Sequence, residues 1–572
     1  MRFRFFLLMV GMVLVFLAVV VQAYRIQIRH GTDLRKEAEE IYRKRIAKFP
    51  TRGSIFDRNG DVLAISYPVN SVYARPREVK DPAAASRILS GPLNLPPRRI
   101  LKKLQRRNSS FVWLKRQVIP PVSEKILELR LPGIHVAQES RRFYPNLELA
   151  CHLLGFVGVD GKGLEGLEFQ YDRVLHGEKT YILRDVDALN RPLAPVQGIL
   201  DSERDGNHLV LTIHKQIQHV VETHLKRAVK DHSARAAMAV VLDPKTGEIL
   251  AMANVPGFNP NVFSQFPRSA MRNRCVTDAY EPGSTFKTFL LAAALEEGLF
   301  KPDQILFCEN GTFRVYDRII HDVKRHGWLT LQGILQRSSN IGAAKVGLQL
   351  GPKRFYRYLK GFGFGRPTEV DLPGEASGVV RPPERWSPVD LATISFGQGI
   401  SATALQLAVA YGSIANRGVR MRPFLVKEIL DPHGQTIRRV APKEVGRVIS
   451  PQTAQTLTRM LTSVVSEKGT GARAALEGFR VAGKTGTAQK PDLRAGGYRK
   501  DRYTASFAGF VPAEDPRICL VVLVDEPKEE IYGGQVAAPL FREIARDVLG
   551  ILGVYADRRL LAQGPGLPGG EP

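Results

Sequence analysis

The chain has 572 residues, of which 44% are hydrophobic and 24% charged. That is the composition of a folded globular protein with room for two to four domains, and it excludes a disordered or fibrous chain. Its 82 Lys+Arg against 56 Asp+Glu leave a net charge of +26, which favours an anionic neighbour, but no finger, RNP-type or basic-zipper pattern accompanies the charge and nucleic acid is not expected.

Residues 5–23 form an uncharged run in which Gln22 alone is strongly polar. At helical rise the run spans roughly 28 Å, enough for the hydrocarbon core of a bilayer. Val21-Gln22-Ala23 could serve as a signal cleavage site, but the apolar run is longer than a usual signal core, so an uncleaved anchor is expected. Arg2 and Arg4 precede the run and Arg25 and Arg29 follow it, so charge does not fix its orientation. The short leader places residues 1–4 in the cytoplasm and the body outside the cytoplasmic membrane.

Residues 31–48 are polar and helical in composition. Asp57-Arg-Asn-Gly60 lies between two apolar runs and predicts a hairpin. More than half of the excess charge lies between residues 41 and 130, where 20 Lys/Arg face 6 Asp/Glu, a net of +14. Arg98-Arg99, Lys102-Lys103 and Arg106-Arg107 concentrate it, and a dock for an anionic polymer or lipid stands beside the plain reading of a solvated basic face. Residues 80–135 read as short helices. Residues 181–184 and 209–213 read as strands around a proline-containing loop at 191–195. The stretch 45–200 carries no catalytic constellation and suits an α+β docking module.

Residues 216–229 are amphipathic and helical. Residues 237–242 and 249–254 predict two strands joined by a tight turn, and residues 504–511 and 518–524 a second pair around Glu514-Asp-Pro516. Strand pairs at both ends with helices between them argue an antiparallel sheet flanked by helices over residues 235–550. The Gly/Pro-rich residues 556–572 are expected to be a disordered tail. Cys151, Cys275, Cys308 and Cys519 are scattered, suggest no metal site, and are expected to be free or incidental, with neighbours that suit a buried thiol and a disulfide left open.

Within the second region, Glu281-Pro-Gly-Ser-Thr-Phe-Lys287 opens an apolar helix that Gly298 stops. Ser284 and Lys287 share one helical face, an arrangement that can make a nucleophile. Gln336-Arg-Ser-Ser-Asn340 brings Ser338 and Asn340 to a second helix start. Val481-Ala-Gly-Lys-Thr-Gly-Thr-Ala-Gln489 reads as a small-residue strand whose glycines would let a substrate backbone come close. No metal or cofactor is expected. His321, Asp322 and His326 lack a ligand cluster, and Asp371, Glu375 and Asp390 read as caps and turns.

Ser284-x-x-Lys287, Ser338-x-Asn340 and Lys484-Thr-Gly486 are, in this order, the motif set of penicillin-binding proteins and the related β-lactamases. With Asp278 to Lys287, His326-Gly-Trp-Leu-Thr-Leu-Gln332, Ser395-Phe-Gly-Gln-Gly-Ile400 and Lys484 to Gln489, the chain resembles a class B penicillin-binding protein. Arg52 to Gly60 and Gly163-Leu-Glu-Gly-Leu-Glu168 resemble that family's pedestal, or dimerisation, domain. Ser-Ser-Asn with Lys-Thr-Gly-Thr-Ala is closest to the septal, cell-division branch. His214 departs from the family, which usually has Asp there. The resemblance implies a serine β-lactamase/transpeptidase fold behind an α+β pedestal and one transmembrane helix. It implies a D,D-transpeptidase that cross-links peptidoglycan stem peptides ending in D-Ala-D-Ala, is inhibited by β-lactams, and works with a membrane glycosyltransferase and other division proteins.

In that reading Ser284 attacks the D-Ala-D-Ala carbonyl and Lys287, if neutral, is the base. Neutrality requires its pKa to fall from ~10.4 to near 7, which costs roughly 4 kcal/mol. Burial and the second ammonium at Lys484 both act in that direction. Ser338 relays the proton to the leaving amine, Asn340 holds Lys287 and the substrate amide, and Lys484, Thr485, Gly486 and Thr487 bind the terminal carboxylate region. The backbone N–H groups of Ser284 and Thr487 form the oxyanion hole. No Glu-x-x-Leu-Asn follows the nucleophile motif, which argues against a β-lactamase, and there is no glycosyltransferase module. The rivals are an elongation or sporulation transpeptidase and a non-catalytic β-lactam-binding sensor or scaffold.

Overall fold

A helix from Arg2–Tyr24 opens the chain and carries no buried residue. Among the described residues it is, with the π-turn Arg25–Arg29 that follows it, the helix long and apolar enough to cross a membrane. The computed structural model describes residues 2–48, 50–178, 180–185, 205–492 and 497–556. The proline-containing loop at 191–195 and residues 557–572 of the expected tail lie outside them.

The polar segment after the anchor is not helical throughout. The helix Gly31–Tyr42 gives way to a strand, Arg43–Lys48, that pairs antiparallel with Thr180–Asp185. The predicted run of helices at 80–135 is also interrupted: Val112–Val118 is an edge strand between the helices Pro97–Leu104 and Pro120–Glu128. Lys115 and Arg116 hid its alternation. They keep their charged ends bonded at the strand's periphery, Lys115 to Leu93 O and Arg116 to Glu139, while Leu114 and Val118 bury.

The turn at Asp57 joins Ile55–Phe56 to the long strand Val62–Ala74. That strand pairs on its two sides with Val112–Val118 and Ile134–Phe143. The same seven-stranded sheet takes in His208–Leu211 and the hairpin Val426–Leu430 and Thr436–Arg439. A sheet begun by the amino-terminal half is therefore completed by strands from the carboxyl-terminal half. Its head packs Val72, Ala74, Leu114 and Val118 on helices carrying Leu89, Leu93, Ile100, Leu104 and Ile126.

The second sheet is five-stranded and antiparallel, in the order Ala482–Pro491, Tyr498–Val511, Ile518–Asp525, Ala236–Leu242 and Ile249–Val255. Alternation sorts its residues onto two faces. Ala237, Ala239 and Val241 join a core with the helices Lys215–Asp231 and Gly533–Ile551. Met238, Val240 and Leu242 face the larger core that holds the helices Lys287–Glu296, Ala404–Ala415 and Pro451–Val464. The result is a mixed helix–sheet fold, an antiparallel sheet with helices on both faces joined to an amino-terminal α+β domain. All four cysteines are free and buried.

That larger core does not stop at the sheet. It also contains Ile55, Leu63, Leu154, Leu167, Leu209 and Leu211 from the first half of the chain. Polar groups tie the same junction. Asp57, fully buried, accepts from Asn59 N and Asp61 N through Oδ1 and from Lys215 N through Oδ2 at 3.1 Å. The hairpin carboxylate thus caps the helix that His214, with no side-chain cap bond of its own, precedes. Nearby, Glu168 is fully buried between Arg52 Nε at 2.7 Å and Arg142 Nε at 2.6 Å, and it also accepts from Tyr144 OH.

Removing this carboxylate leaves the buried Arg142 without its counter-ion and Arg52 with Asp172 alone, and breaking such a buried pair typically costs about 3–5 kcal/mol. Glu168→Ala is therefore expected to lower the unfolding free energy by about that much, while Glu78→Ala, at the exposed Arg75 pair, changes it by less than about 1 kcal/mol. Denaturant titration of the two variants in detergent compares them, and equal losses would show that the buried cluster does not brace the amino-terminal domain.

Candidate active site

The helix Lys287–Glu296 has no polar face: its residues from Lys287 to Ala294 are all buried. Its amino-terminal end is a 3-10 turn, Gly283–Phe286, that lifts Ser284 to a partly exposed position while burying Thr285 and Phe286. Two neighbours fix that turn. Tyr411 OH accepts from Thr288 Oγ1 at 2.8 Å and donates to Thr285 O at 2.9 Å. Gly283 N donates to Gly397 O at 3.1 Å. Gly397 has φ +83, and a Cβ there would fall 2.2 Å from Gly283 O, so the Ser395–Ile400 loop can lie against the nucleophile turn only with glycine at this position.

Lys287 has no exposed surface, yet its Nζ meets four oxygens: Ser284 Oγ at 3.1 Å, Ser338 O at 2.6 Å, Ser338 Oγ at 3.2 Å and Asn340 Oδ1 at 2.8 Å. Ser338 O and Asn340 Oδ1 can only accept. A neutral amine satisfies both with its two hydrogens and keeps a lone pair for the Ser284 hydroxyl. Burial pushes the Lys287 pKa down to about 7 against the opposing pull of Asp322.

Ser338 closes the helix Leu331–Arg337 in the left-handed conformation, φ +64. That turn aims its Oγ between Lys287 Nζ and Lys484 Nζ, 3.1 Å away. Lys484 is likewise fully buried and also bonds Thr485 O and Oγ1. Burial, reinforced by the charge of Lys287, holds its pKa well below the usual lysine range.

Lys484 lies on Ala482–Pro491, an edge strand of the five-stranded sheet, so its outer side is open to an extended peptide. Thr485 Oγ1 is 2.9 Å from Thr470 Oγ1, and Thr487 Oγ1 accepts from Gly533 N at 2.9 Å. A Cβ on Gly486 would lie 2.3 Å from Ser506 Oγ and 2.9 Å from Thr285 Cγ2. The absence of a side chain there lets the strand close on the nucleophile turn, an internal demand distinct from room for substrate.

The structure thus brings Ser284, Lys287, Ser338, Asn340 and Lys484 into one hydrogen-bonded cluster, with Thr485 attached directly and Thr487 further along the same strand. What holds it lies outside the motifs. Asp322 accepts from Ser339 Oγ at 2.6 Å, Asn340 N at 2.5 Å and Ile341 N at 3.0 Å. It caps the helix Asn340–Leu350 and stations Asn340, whose Nδ2 donates to His321 O. Read only as a possible metal ligand beside His321, it showed no local pattern; its partners lie 17 to 19 residues away. By contrast, Glu375 accepts from backbone at a local turn and Asp390 completes a capping box, while Asp371 is no local cap: it accepts from Leu425 N and Val426 N at the start of a distant strand and from Tyr171 OH.

Two family models match the chain. Residues 237–546 match the penicillin binding protein transpeptidase domain and residues 47–211 the penicillin-binding protein dimerisation domain. Peptidoglycan D,D-transpeptidase FtsI of Escherichia coli (strain K12) is 38% identical over 517 residues, 89% of this chain and 84% of that protein. Stage V sporulation protein D of Bacillus subtilis is 37% identical over 556 residues, 96% of this chain and 85% of that one. Penicillin binding protein 3 of Mycobacterium tuberculosis, solved in complex with ampicillin, superposes with a TM-score of 0.71 at 31% identity over 90% of this chain and 98% of that chain.

Lys287 is expected to titrate with a midpoint near 7, read from its side-chain 13Cε resonance. Asp322→Asn removes the charge that raises this value, so the midpoint moves further down. Between about 7 and 10.5 the unfolded chain holds the lysine proton and the folded one does not, so this residue makes stability rise with pH across that window. A midpoint close to 10.5 in the folded protein would contradict the neutral amine.

Proposed function

The chain belongs to the penicillin-binding proteins, with the transpeptidase and dimerisation domains of that family in one polypeptide, and we propose that it is a peptidoglycan D,D-transpeptidase of the septal, class B type. The observation that carries this reading is the four-oxygen environment of Lys287 Nζ, which makes a neutral base beside a serine hydroxyl. The apolar helix Arg2–Tyr24 anchors the chain and the catalytic domain lies outside the cytoplasmic membrane.

Substrate binding sets the protonation states. The terminal carboxylate of a D-Ala-D-Ala peptide, lying along the edge strand, draws a proton onto Lys484, and Thr485 and Thr487 add hydroxyl contacts. A charged Lys484 in turn disfavours a second ammonium at Lys287. Lys287 takes the Ser284 hydroxyl proton as Oγ attacks the penultimate D-Ala carbonyl, with the backbone N–H groups of Ser284 and Thr487 holding the oxyanion. The C–N bond to the terminal D-Ala then breaks. Ser338 Oγ, hydrogen-bonded to both lysines, passes the proton to the departing amine.

The acyl-serine awaits the amine of a second stem peptide, which forms the new peptide bond and releases Ser284. Asp322 senses Lys287 but has both oxygens engaged by three donors, so it is not free to activate a water. Slow hydrolysis follows, and a β-lactam, whose leaving group stays tethered, holds the enzyme as a long-lived adduct. New glycan would come from a membrane glycosyltransferase that meets the anchor and the amino-terminal domain. A sporulation role is the second reading, favoured by the match to a sporulation protein over 96% of this chain.

Intact-mass analysis with a labelled penicillin tests the assignment. Wild type is expected to gain one stoichiometric adduct lasting many minutes, and Ser284→Ala none. Lys287→Ala should slow acylation by about 10³-fold or more. The wild-type rate should climb with pH through about 7, as Lys287 loses its proton. Rapid loss of the adduct with hydrolysed drug would make the protein a β-lactamase, and no adduct would leave a scaffold.

A further inference from the structure

One face of the amino-terminal sheet packs on helices; the other is open and aromatic. Tyr73 stands at its centre, paired across the strands with Trp113 on one side and His135 on the other. The Tyr73 and His135 rings stack at 5.3 Å, Trp113 meets Tyr73 edge-on at 6.0 Å, and Phe111 lies 4.7 Å from both Tyr73 and Trp113. Phe111 is 43% exposed. Arg116 lies over the Trp113 ring with its charge answered by Glu139 and Asp160, and His135 and Arg75 share Glu78. The aromatic platform itself is thus close to neutral.

Its border is not. The helix Pro97–Leu104 packs Ile100 and Leu104 against the covered face of the edge strand Val112–Val118 and reaches it where Lys103 Nζ donates to Trp113 O and Leu114 O. This helix and the loop after it carry Arg98, Arg99, Lys102, Lys103, Arg106 and Arg107, and among the described residues none of the six makes an ion pair. Burial lowers the Lys103 pKa, and the like charges of Arg99 and Arg106 nearby add to the effect. Such crowding is unfavourable unless an anion answers it.

We propose that this aromatic face and its basic border bind a glycan strand of uncross-linked peptidoglycan, the sugar rings lying against the exposed Phe111 and the outward edges of Trp113 and Tyr73 and the stem-peptide carboxylates facing Arg98, Arg99, Lys102, Arg106 and Arg107. A packed aromatic cluster with its outer carbon exposed offers an apolar surface to the C–H groups of sugars, and the proposed substrate is an acidic glycopeptide polymer, which matches the border in charge. A neutral stacking surface beside a strip of unanswered cations suits that combination better than it suits a lipid bilayer, which would call for charge with inserted apolar side chains. The inference rests on the transpeptidase reading for the identity of the polymer.

Co-sedimentation of the full chain in detergent with purified uncross-linked glycan strands tests it, alongside vesicles containing anionic lipid. Phe111→Ala/Trp113→Ala should weaken strand binding by about tenfold at all salt concentrations. Arg99→Glu/Lys102→Glu/Arg106→Glu should weaken it by about tenfold at low salt and flatten its salt dependence. Both variants should still be acylated by penicillin at Ser284 at the wild-type rate, which reports an intact fold and keeps this test separate from that of the catalytic reading. Undiminished strand binding by both variants would overturn the proposal. So would vesicle binding that disappears with the charge reversals while strand binding persists, which would assign the border to the membrane.

Discussion

The catalytic cluster depends on burying two lysine amines around one serine hydroxyl. Each Nζ is withdrawn from water, and Ser338 Oγ bridges them at 3.2 and 3.1 Å. Two ammonium groups so placed would repel each other in a medium that screens poorly, so the pair favours losing at least one proton near neutral pH. The geometry around Lys287 decides which form it accommodates: two obligate acceptors and a serine hydroxyl suit an amine with two hydrogens and a lone pair. Lys484, whose other partners are Thr485 O and Oγ1, lies on the open edge strand where an incoming carboxylate can restore its charge.

Keeping such a cluster dry and in register requires rigid surroundings. The helix bearing Lys287 is surrounded by core on every side, so its first turn cannot shift without disturbing the packing of Phe286, Phe289 and Tyr411, whose rings meet at 5.3 to 5.5 Å. Ser338 comes from a different helix and Lys484 from a strand, and no covalent proximity brings them together. Asp322 fixes the second of these by capping the helix that begins at Asn340. Close approach of strand to turn fixes the third, through Gly486 and Thr285. The cluster is therefore a product of tertiary contacts, those of Tyr411 and Asp322 supplied from outside the motifs and that of Gly486 with Thr285 from within them.

This division explains what could be read in advance. The three motifs name the groups that the fold brings together, because the proposed chemistry calls for a serine, an amine at helical spacing and a second amine on a small-residue strand. Helix starts at Ser284 and Asn340 and the strand at Lys484 were legible from the glycine, proline and cap residues beside them. Asp322 was not, since its function exists only once residues 17 to 19 positions away fold back on it. Thr470 and Tyr411, which meet the cluster from elsewhere in the chain, gave no local signal for the same reason. In the amino-terminal half the strand Val112–Val118 was missed because Lys115 and Arg116 broke its apolar alternation, although both side chains satisfy their charge at the sheet's periphery. Arg43–Lys48 was missed because its partner, Thr180–Asp185, lies more than 130 residues away.

The continuity between the two halves bears on how they act together. A hairpin from the catalytic half completes the amino-terminal sheet, and one core runs from Leu63 and Leu167 to Phe286 and Leu290. Asp57 carries the hydrogen-bond connection onward, from the hairpin turn into the helix Lys215–Asp231, which packs on the catalytic sheet. Packed interiors transmit displacement rather than absorbing it. A load on the amino-terminal sheet therefore reaches the catalytic sheet through bonded and close-packed groups, with no flexible joint among these contacts. The head beyond it is different: Val72, Leu114 and their helices form a separate core. The strand Val62–Ala74 nevertheless runs unbroken from one core into the other, with Leu63 and Ala64 in the shared core and Val72 and Ala74 in the head, so a polymer held on the aromatic face would load the shared sheet along that strand.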